Sequence, residues 1–486
     1  MLKSITNLNK KNFSTDSFLL INLVFGFFPI SFIFGNLVTN ANLILFCALG
    51  IFYLRSKIFK TKFNLSIRII FLFFFVIFFS TSLSFIKSLY FEGYEYVHLV
   101  RLIKSIIFFR YFLMFIIIYL LSEHNILNFK YFFISAFFSA LIVALDVIYQ
   151  YIFGFNIIGL KGYPHHNSGF FGDEWISGGF IQNFSFFSIL FLAFLLENKK
   201  ILRFILTVIT ICILGAGIML SGNKMPLILF LFGLLLVILF NNQLRNIILV
   251  SLVSFFILFK FIISTDADMK TGYVSMYQNI QSSFVGIFDL DSILKNDSEK
   301  NYETQKNSTA AKEKDQLASS VRSDSKLSFL EGRTYQTRLI LTAIDTWKQN
   351  KIFGNGIKSF RIDCHRLQGE EYNLQQKFVK FKKNRTCSNH PHNYYFEILT
   401  ETGIVGFFII LIIALLFLIF ILKNFRLFKG NTMENFILLG AVISLILEAF
   451  PIKSSGSIFT TNDTTYIILI SSIILSYKKK LTTSGK

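Results

Sequence analysis

An all-α polytopic membrane protein is the fold class this sequence predicts, and three observations predict it. Of the 486 residues, 53% are hydrophobic and only 16% are charged. The mean hydropathy is +0.58, and the apolar residues gather into runs near the length of a bilayer crossing. A soluble domain has about a quarter of its residues charged, so this chain has too few charges to cover so much apolar surface. The same figures exclude a disordered chain, and 27 glycines and 4 cysteines exclude collagen-like and disulfide-framework classes. The 63 phenylalanines, with frequent Ile, Lys and Asn, fit an AT-rich coding bias and carry no functional weight one by one.

A hydrocarbon core of about 30 Å takes about 20 helical residues. On that measure the chain has spans near 17–35, 37–54, 64–87, 99–121, 131–154, 177–197, 204–220, 226–241, 246–263, 402–422, 435–450 and 464–477, which makes about twelve transmembrane helices. No small-x-small cleavage site follows 17–35, so that segment is expected to remain as an anchor. The net charge of +20 (48 Lys and Arg against 28 Asp and Glu) would suit nucleic acid. Its distribution argues for topology instead. Arg55, Lys57, Lys60 and Lys62 fill one short loop, Lys199, Lys200 and Arg203 another, and Lys423, Arg426 and Lys429 a third. Lys3, Lys10 and Lys11 precede the first span, and Lys478, Lys479 and Lys480 follow the last. All lie on one side of a twelve-span arrangement. The positive-inside rule therefore puts both termini in the cytoplasm, with the bilayer and no nucleic acid as partner.

This divides the chain into an N-terminal membrane region over 1–263 with about nine helices, a large periplasmic loop over 264–401, and a C-terminal membrane region over 402–486 with about three. Within the loop, 295–328 is poor in apolar residues and mixed in charge, and it is expected to be disordered. Residues 332–400 have apolar periodicity and read as an ordered subdomain of amphipathic helices. Cys364 and Cys387 both lie there, and an oxidising periplasm would allow them a disulfide. The alternative is a zinc site made by Cys364, His365, Cys387 and His390.

The most specific stretch runs from His390 to Gly406, HPHNYYFEILTETGIVG. His392 and Asn393 are followed by nine residues, Gly403, two residues, and Gly406. His392 stands where the loop enters a span, and its ordinary pKa makes imidazole a candidate base. Asn393 and Glu397 are candidate orienting groups. Gly403 and Gly406 share a helical face and are expected to let another helix approach closely. The pattern resembles the H-[NSQ]-x9-G-x-x-G signature of the O-antigen ligase family, whose wider group includes O-antigen polymerases. Upstream, Gly332-Arg333, Arg338, Trp347, Phe353-Gly354-Asn355-Gly356 and Lys358-Ser359-Phe360-Arg361 are also similar to that family. The resemblance is clearest over about 330–410.

Basic residues off the positive-inside pattern form a second set. Lys224 sits in the turn Ser221-Gly222-Asn223-Lys224, and Arg333, Arg338, Lys358 and Arg361 lie in the large loop. Such cations suit a pyrophosphate and its departure as a leaving group. The spacing admits either Arg333 or Arg338, and Lys224 stands where the family resemblance implies Arg. Arg101, Lys104 and Arg110 share the fourth span. The first two are placed to snorkel, and the deeper Arg110 is read as an ion-pair partner or a lipid-phosphate contact. The loop at 155–176 carries Tyr163-Pro164-His165-His166 and Gly172-Asp173-Glu174-Trp175, a spacing that favours glycan or loop contact over metal. There is no phosphate-binding G-x-x-x-x-G-K-[ST] and no H-E-x-x-H or G-x-S-x-G. Asp266-Ala267-Asp268 is a DxD in form only.

The resemblance implies a metal-independent, inverting glycosyltransferase in the bacterial inner membrane, with no cofactor. Its donor would be a glycan on undecaprenyl pyrophosphate, and its acceptor a sugar hydroxyl on lipid A–core or on a growing glycan. His392 would be catalytic; Arg333, Arg338, Arg361, Lys224, Asn393 and Arg110 would bind substrate; Gly403, Gly406, Cys364 and Cys387 would be structural. Ligase is favoured over polymerase, with protein O-glycosylation third. A secondary transporter is the reading from another class, and it is disfavoured because the sequence has no internal repeat.

Overall fold

Apolar runs without water must satisfy their backbone internally, so they fold as helices. The computed structural model describes residues 18–55, 57–60, 63–91, 95–163, 165–288, 335–368, 385–454 and 456–484. Among the described residues there is no strand, only two isolated bridges, Phe155 with Lys161 and Tyr163 with His166. Among the described residues the helices of six residues or more are α1 Leu19–Gly26, α2 Phe28–Ile33, α3 Asn36–Leu54, α4 Leu65–Phe91, α5 Glu95–Glu123, α6 Lys130–Phe153, α7 Ser177–Leu195, α8 Lys200–Leu220, α9 Lys224–Phe240, α10 Arg245–Thr265 and α11 Ala267–Phe288. They continue as α12 Tyr335–Trp347, α13 Phe360–Gln368, α14 Tyr394–Lys423, α15 Met433–Glu448 and α16 Thr461–Ser484.

Among the described residues, eight helices are long and apolar enough to cross a membrane: α3 to α8, α10 and α14. Two more apolar segments are shorter, Leu19–Ile33 and Lys224–Phe240. The first expected span is broken at Phe27, and Pro29, which cannot donate to an upstream carbonyl, lies in the first turn of α2. The expected disordered stretch 295–328 lies outside the described residues, as does Arg333.

Packing is governed by side-chain fit, because lipid is as apolar as the helices themselves. α6 lies along α7 and α8, α15 packs on α7, α16 on α5, and α4 is flanked by α5 and α14. Phenylalanines fill the interior: the Phe25 ring meets those of Phe28, Phe46, Phe129 and Phe132 with centroids 5.6–6.1 Å apart. A separate small core joins Leu339, Ala343, Phe360 and Cys364 to Cys387 and Phe396. It seats α12 and α13 on the start of α14.

Candidate active site

A break in α14 organises the region around the His392 motif. Gly403 has φ 65° and ψ −166° inside the helical run, a conformation that glycine alone adopts without penalty. The break frees carbonyls before it and N–H groups after it, and these need partners. The segment 351–356 supplies both. Asn355 N donates to Thr400 O (3.0 Å) and Gly356 N to Glu401 O (2.9 Å), while Ile404 N donates to Lys351 O (3.0 Å) and Val405 N to Ile352 O (3.2 Å). The two backbones are so close that a Cβ on Gly403 would lie 2.2 Å from Ile352 O. The expectation of a smooth helical face for a neighbouring helix is thus corrected: Gly403 opens the helix to a loop. A Cβ on Gly406 would meet Thr402 Oγ1 of the same helix at 2.0 Å.

That loop is also held from the other side. Arg101, read from sequence as a snorkelling residue, is only 3% exposed. Its Nε donates to Ile357 O at 3.0 Å and its Nη2 to Asn355 O. Ile357 N donates to Thr81 Oγ1 at 3.0 Å, and Lys358 N to Glu401 Oε2 at 2.6 Å. Lys104, Lys358 and Arg361 consequently share one neighbourhood with Glu397 and Glu401. Burial pushes the Lys358 ammonium below its ordinary pKa and Arg361 adds to this, against the pull of Glu401. A further negative charge is therefore welcome beside these cations. The Arg361 Nε is buried without a hydrogen-bond partner.

His392 stands at φ 55°, a left-handed turn that His tolerates better than most residues. It leads into Asn393, the N-cap of α14, whose Oδ1 accepts from Tyr395 N (3.0 Å) and Phe396 N (3.3 Å). Asn393 Nδ2 donates to Pro451 O at 2.8 Å. The amide that sequence reading assigns to substrate is thus engaged in helix capping and in tying down the α15–α16 loop. His392 Nε2 shares a hydrogen bond with Ser388 Oγ (3.3 Å), and its ring lies 4.2 Å from that of His390 and 6.4 Å from that of Tyr335. Tyr335 is one turn from the half-buried Arg338 on α12. Nearby, Arg385 Nε is 2.7 Å from Asp345 Oδ2. Burial raises the Asp345 pKa, but the Arg385 guanidinium and Lys348 outweigh it and hold the carboxyl below its ordinary value.

The Sγ atoms of Cys364 and Cys387 are 2.20 Å apart, a disulfide that pins the chain leading to His392 against α13. Cys364, His365 and Cys387 present ligand atoms within 4.8 Å of one another. The two sulfurs, however, are bonded to each other, and zinc needs them as thiolates. Asp266 Oδ1 accepts from Asp268 N (2.9 Å) and Met269 N (3.0 Å), so the DxD stretch caps α11.

A cavity of about 520 Å³ opens at the start of α14, with Tyr394 on its wall. Lys224, Trp175, Gln182, Asn183, Tyr394 and Asp463 are among the residues on its wall. The turn at Gly222 allows it: a Cβ there would lie 2.1 Å from His165 O. The 155–176 loop closes over that turn through the His166 ring, stacked on Trp175 at 4.2 Å, and through Asn223 Nδ2 bonded to Trp175 O at 2.8 Å. Burial pushes the His166 pKa down, with His165 and Lys224 adding to it against the Ser221 carbonyl. Below Tyr394 lies an acid–base network: its hydroxyl donates to Glu448 Oε1 (2.7 Å), and Lys453 Nζ is 2.7 Å from Glu448 Oε2.

The structure thus gathers Lys224, the 155–176 loop and Tyr394 around one cavity, and sets Arg361 in the neighbourhood of Glu397 and Glu401 at the clamped loop. Arg110 joins neither group; its Nη2 donates to the hydroxyl of Tyr111, whose ring it also covers at 4.7 Å. Sequence reasoning missed Glu401, Gln182, Asn183 and the clamping role of Arg101. The available signal was polar side chains inside otherwise apolar runs, which are costly there and usually have a task.

No curated protein matches the chain. The family model of O-antigen ligases matches residues 207–411, a stretch that contains Lys224, the glycine loop and the complete His392 motif. Over residues 207–411 the chain is therefore similar to the O-antigen ligase family.

Proposed function

We propose that the protein is a membrane glycosyltransferase that moves a glycan from undecaprenyl pyrophosphate to a sugar hydroxyl of lipid A–core. The observation that carries this reading is the setting of the family motif: one start of α14 with cations near it, Lys224 on the wall of a cavity that Tyr394 also lines and Lys358 with Arg361 at the clamped loop. The acceptor oxygen attacks the anomeric carbon opposite the pyrophosphate, so configuration inverts. Its proton passes to His392, and the electron pair of the breaking C–O bond stays on the pyrophosphate. Lys224, Arg338, Arg361 and, from sequence, Arg333 absorb that charge, so that side-chain cations do the work a metal would otherwise do. Asn393 positions the motif, and Arg110 is left for a lipid headgroup.

The topology that fits is twelve spans with both termini cytoplasmic and multi-pass insertion in the inner membrane. Region 1–263 and region 402–486 hold the lipid, and 264–401 caps the site from the periplasm. The test is surface glycan analysis of a bacterial strain lacking the gene, complemented with wild type, Arg338→Ala or His392→Asn, which keeps the left-handed turn. Long lipid-linked glycan with bare lipid A–core, uncorrected by His392→Asn, supports ligase chemistry. Single repeat units on the core mark a polymerase instead, and full correction by His392→Asn removes the histidine from the chemistry.

A further inference from the structure

The cavity beside Lys224 has a feature that pyrophosphate binding does not need. Gln182, only 2% exposed, reaches its wall, yet its side-chain amide makes no hydrogen bond to any described residue. The Asn183 side chain on the same wall makes none either. Across the cavity the Oδ1 atoms of Asn223 and Asn462 are buried without a partner. Buried amide oxygens are ordinarily satisfied, and two unpaired ones beside the free side-chain amides of Gln182 and Asn183 around one hollow are costly unless something fills it. Each side-chain amide offers both a donor and an acceptor, which is the complement of a ring of hydroxyls. Trp175 adds an aromatic ring, 51% exposed and backed on one side by His166. An indole packed on one face and accessible from the cavity suits the C–H face of a pyranose.

We infer that this cavity is a sugar subsite, in which Gln182, Asn183, Asn223 and Asn462 read the hydroxyl and acetamido groups of the pyranose next to the pyrophosphate held by Lys224. Trp175 is its platform. The inference rests on the donor proposed above and adds what determines its specificity. Gln182, Asn183 and Trp175 lie before the matched residues 207–411, Asn223 within them and Asn462 after them, so glycan choice is spread along the chain rather than written in the motif alone.

The test compares two probes on the purified full-length protein in lipid nanodiscs: undecaprenyl pyrophosphate, and the same lipid bearing N-acetylglucosamine. Wild type is expected to bind the sugar-bearing lipid at least tenfold more tightly. Gln182→Leu is expected to lose that tenfold while its affinity for the bare lipid stays within twofold; Lys224→Ala weakens both. Gln182→Leu should also melt no lower than wild type, because it removes an unpaired amide, and Trp175→Ala provides a second variant on a loop. Equal affinity of wild type for both lipids, or equal loss of both in Gln182→Leu and Trp175→Ala, overturns the sugar subsite. Failure of wild type to bind either lipid overturns the donor assignment itself.

Discussion

Asn355 and Gln182 are both buried amides in a helical membrane protein, and they are treated in opposite ways. Asn355 Nδ2 donates to Thr346 O (2.9 Å) and Thr400 O (3.3 Å), and its Oδ1 accepts from Asn350 at 2.5 Å. Gln182 has no partner among the described residues. The region around Asn355 is a framework, in which backbone groups released at Gly403 are bonded again by residues from distant parts of the chain. The region around Gln182 is a receptacle, in which polar groups are kept unsatisfied beside a hollow. The contrast teaches that an amide bonded on every side, as at Asn355, holds the motif in place, whereas those of Gln182 and Asn183 are left to face a hollow.

The framework breaks most easily at Gly403. A branched side chain at φ 65° costs roughly 1–2 kcal/mol in backbone strain alone, and the new Cβ also collides with Ile352 O. Gly403→Val is expected to yield no monodisperse protein on gel filtration in detergent. A folded, active Gly403→Val protein would contradict the clamp. Next in size is His392→Asn, which should lower transfer about 10²- to 10⁴-fold, the usual worth of a positioned general base, with an unchanged melting temperature. A parallel fall in melting temperature would make the residue part of the framework.

The comparison itself is sharpened by one pair of substitutions. Asn355→Leu should cost about 1–3 kcal/mol, since it strips partners from buried groups, whereas Gln182→Leu should cost nothing or stabilise. Equal melting temperatures for the two variants would erase the distinction. The smallest effect is expected at Asp345, three-quarters buried and bonded to Arg385. Its carboxyl is held below the ordinary value, so the folded state gains stability that is fully present above pH 3.8 and lost as pH falls through the lowered pKa. Asp345→Asn should therefore cost no more than about 1 kcal/mol at neutral pH, and its melting curve should converge with that of wild type as the buffer is acidified. A gap that widens in acid would reverse the sign.

How much of this was legible in the sequence depends on whether a feature is local. Hydropathy located the apolar runs, because each is a property of about 20 consecutive residues, and the family motif fixed the residues around which the site is built. The start of α14 at Tyr394 rather than near 402 was hidden because Glu397 and Glu401 depress hydropathy. Their burial is made possible by Ser457, Ile458 and Lys358, which are far away in sequence. The role of Gly403 was hidden for a related reason. Its spacing from Gly406 suggests a helical face, while its positive φ comes from a loop some fifty residues upstream. Arg101 looked like an interfacial cation because nothing near it in sequence reveals the two carbonyls that receive it. The amides at 182 and 183 were visible as letters, but their lack of partners exists only in three dimensions.

The most direct measurement is acceptor-dependent release of undecaprenyl pyrophosphate. Purified protein in nanodiscs would be given an undecaprenyl-pyrophosphate-linked glycan with and without lipid A–core, and both lipid products followed by mass spectrometry. The account predicts free undecaprenyl pyrophosphate and glycosylated core in equal amounts, only when the core is present, and neither with His392→Asn. Wild-type protein that leaves the donor intact in the presence of both lipid A–core and a second glycan as acceptor would contradict it.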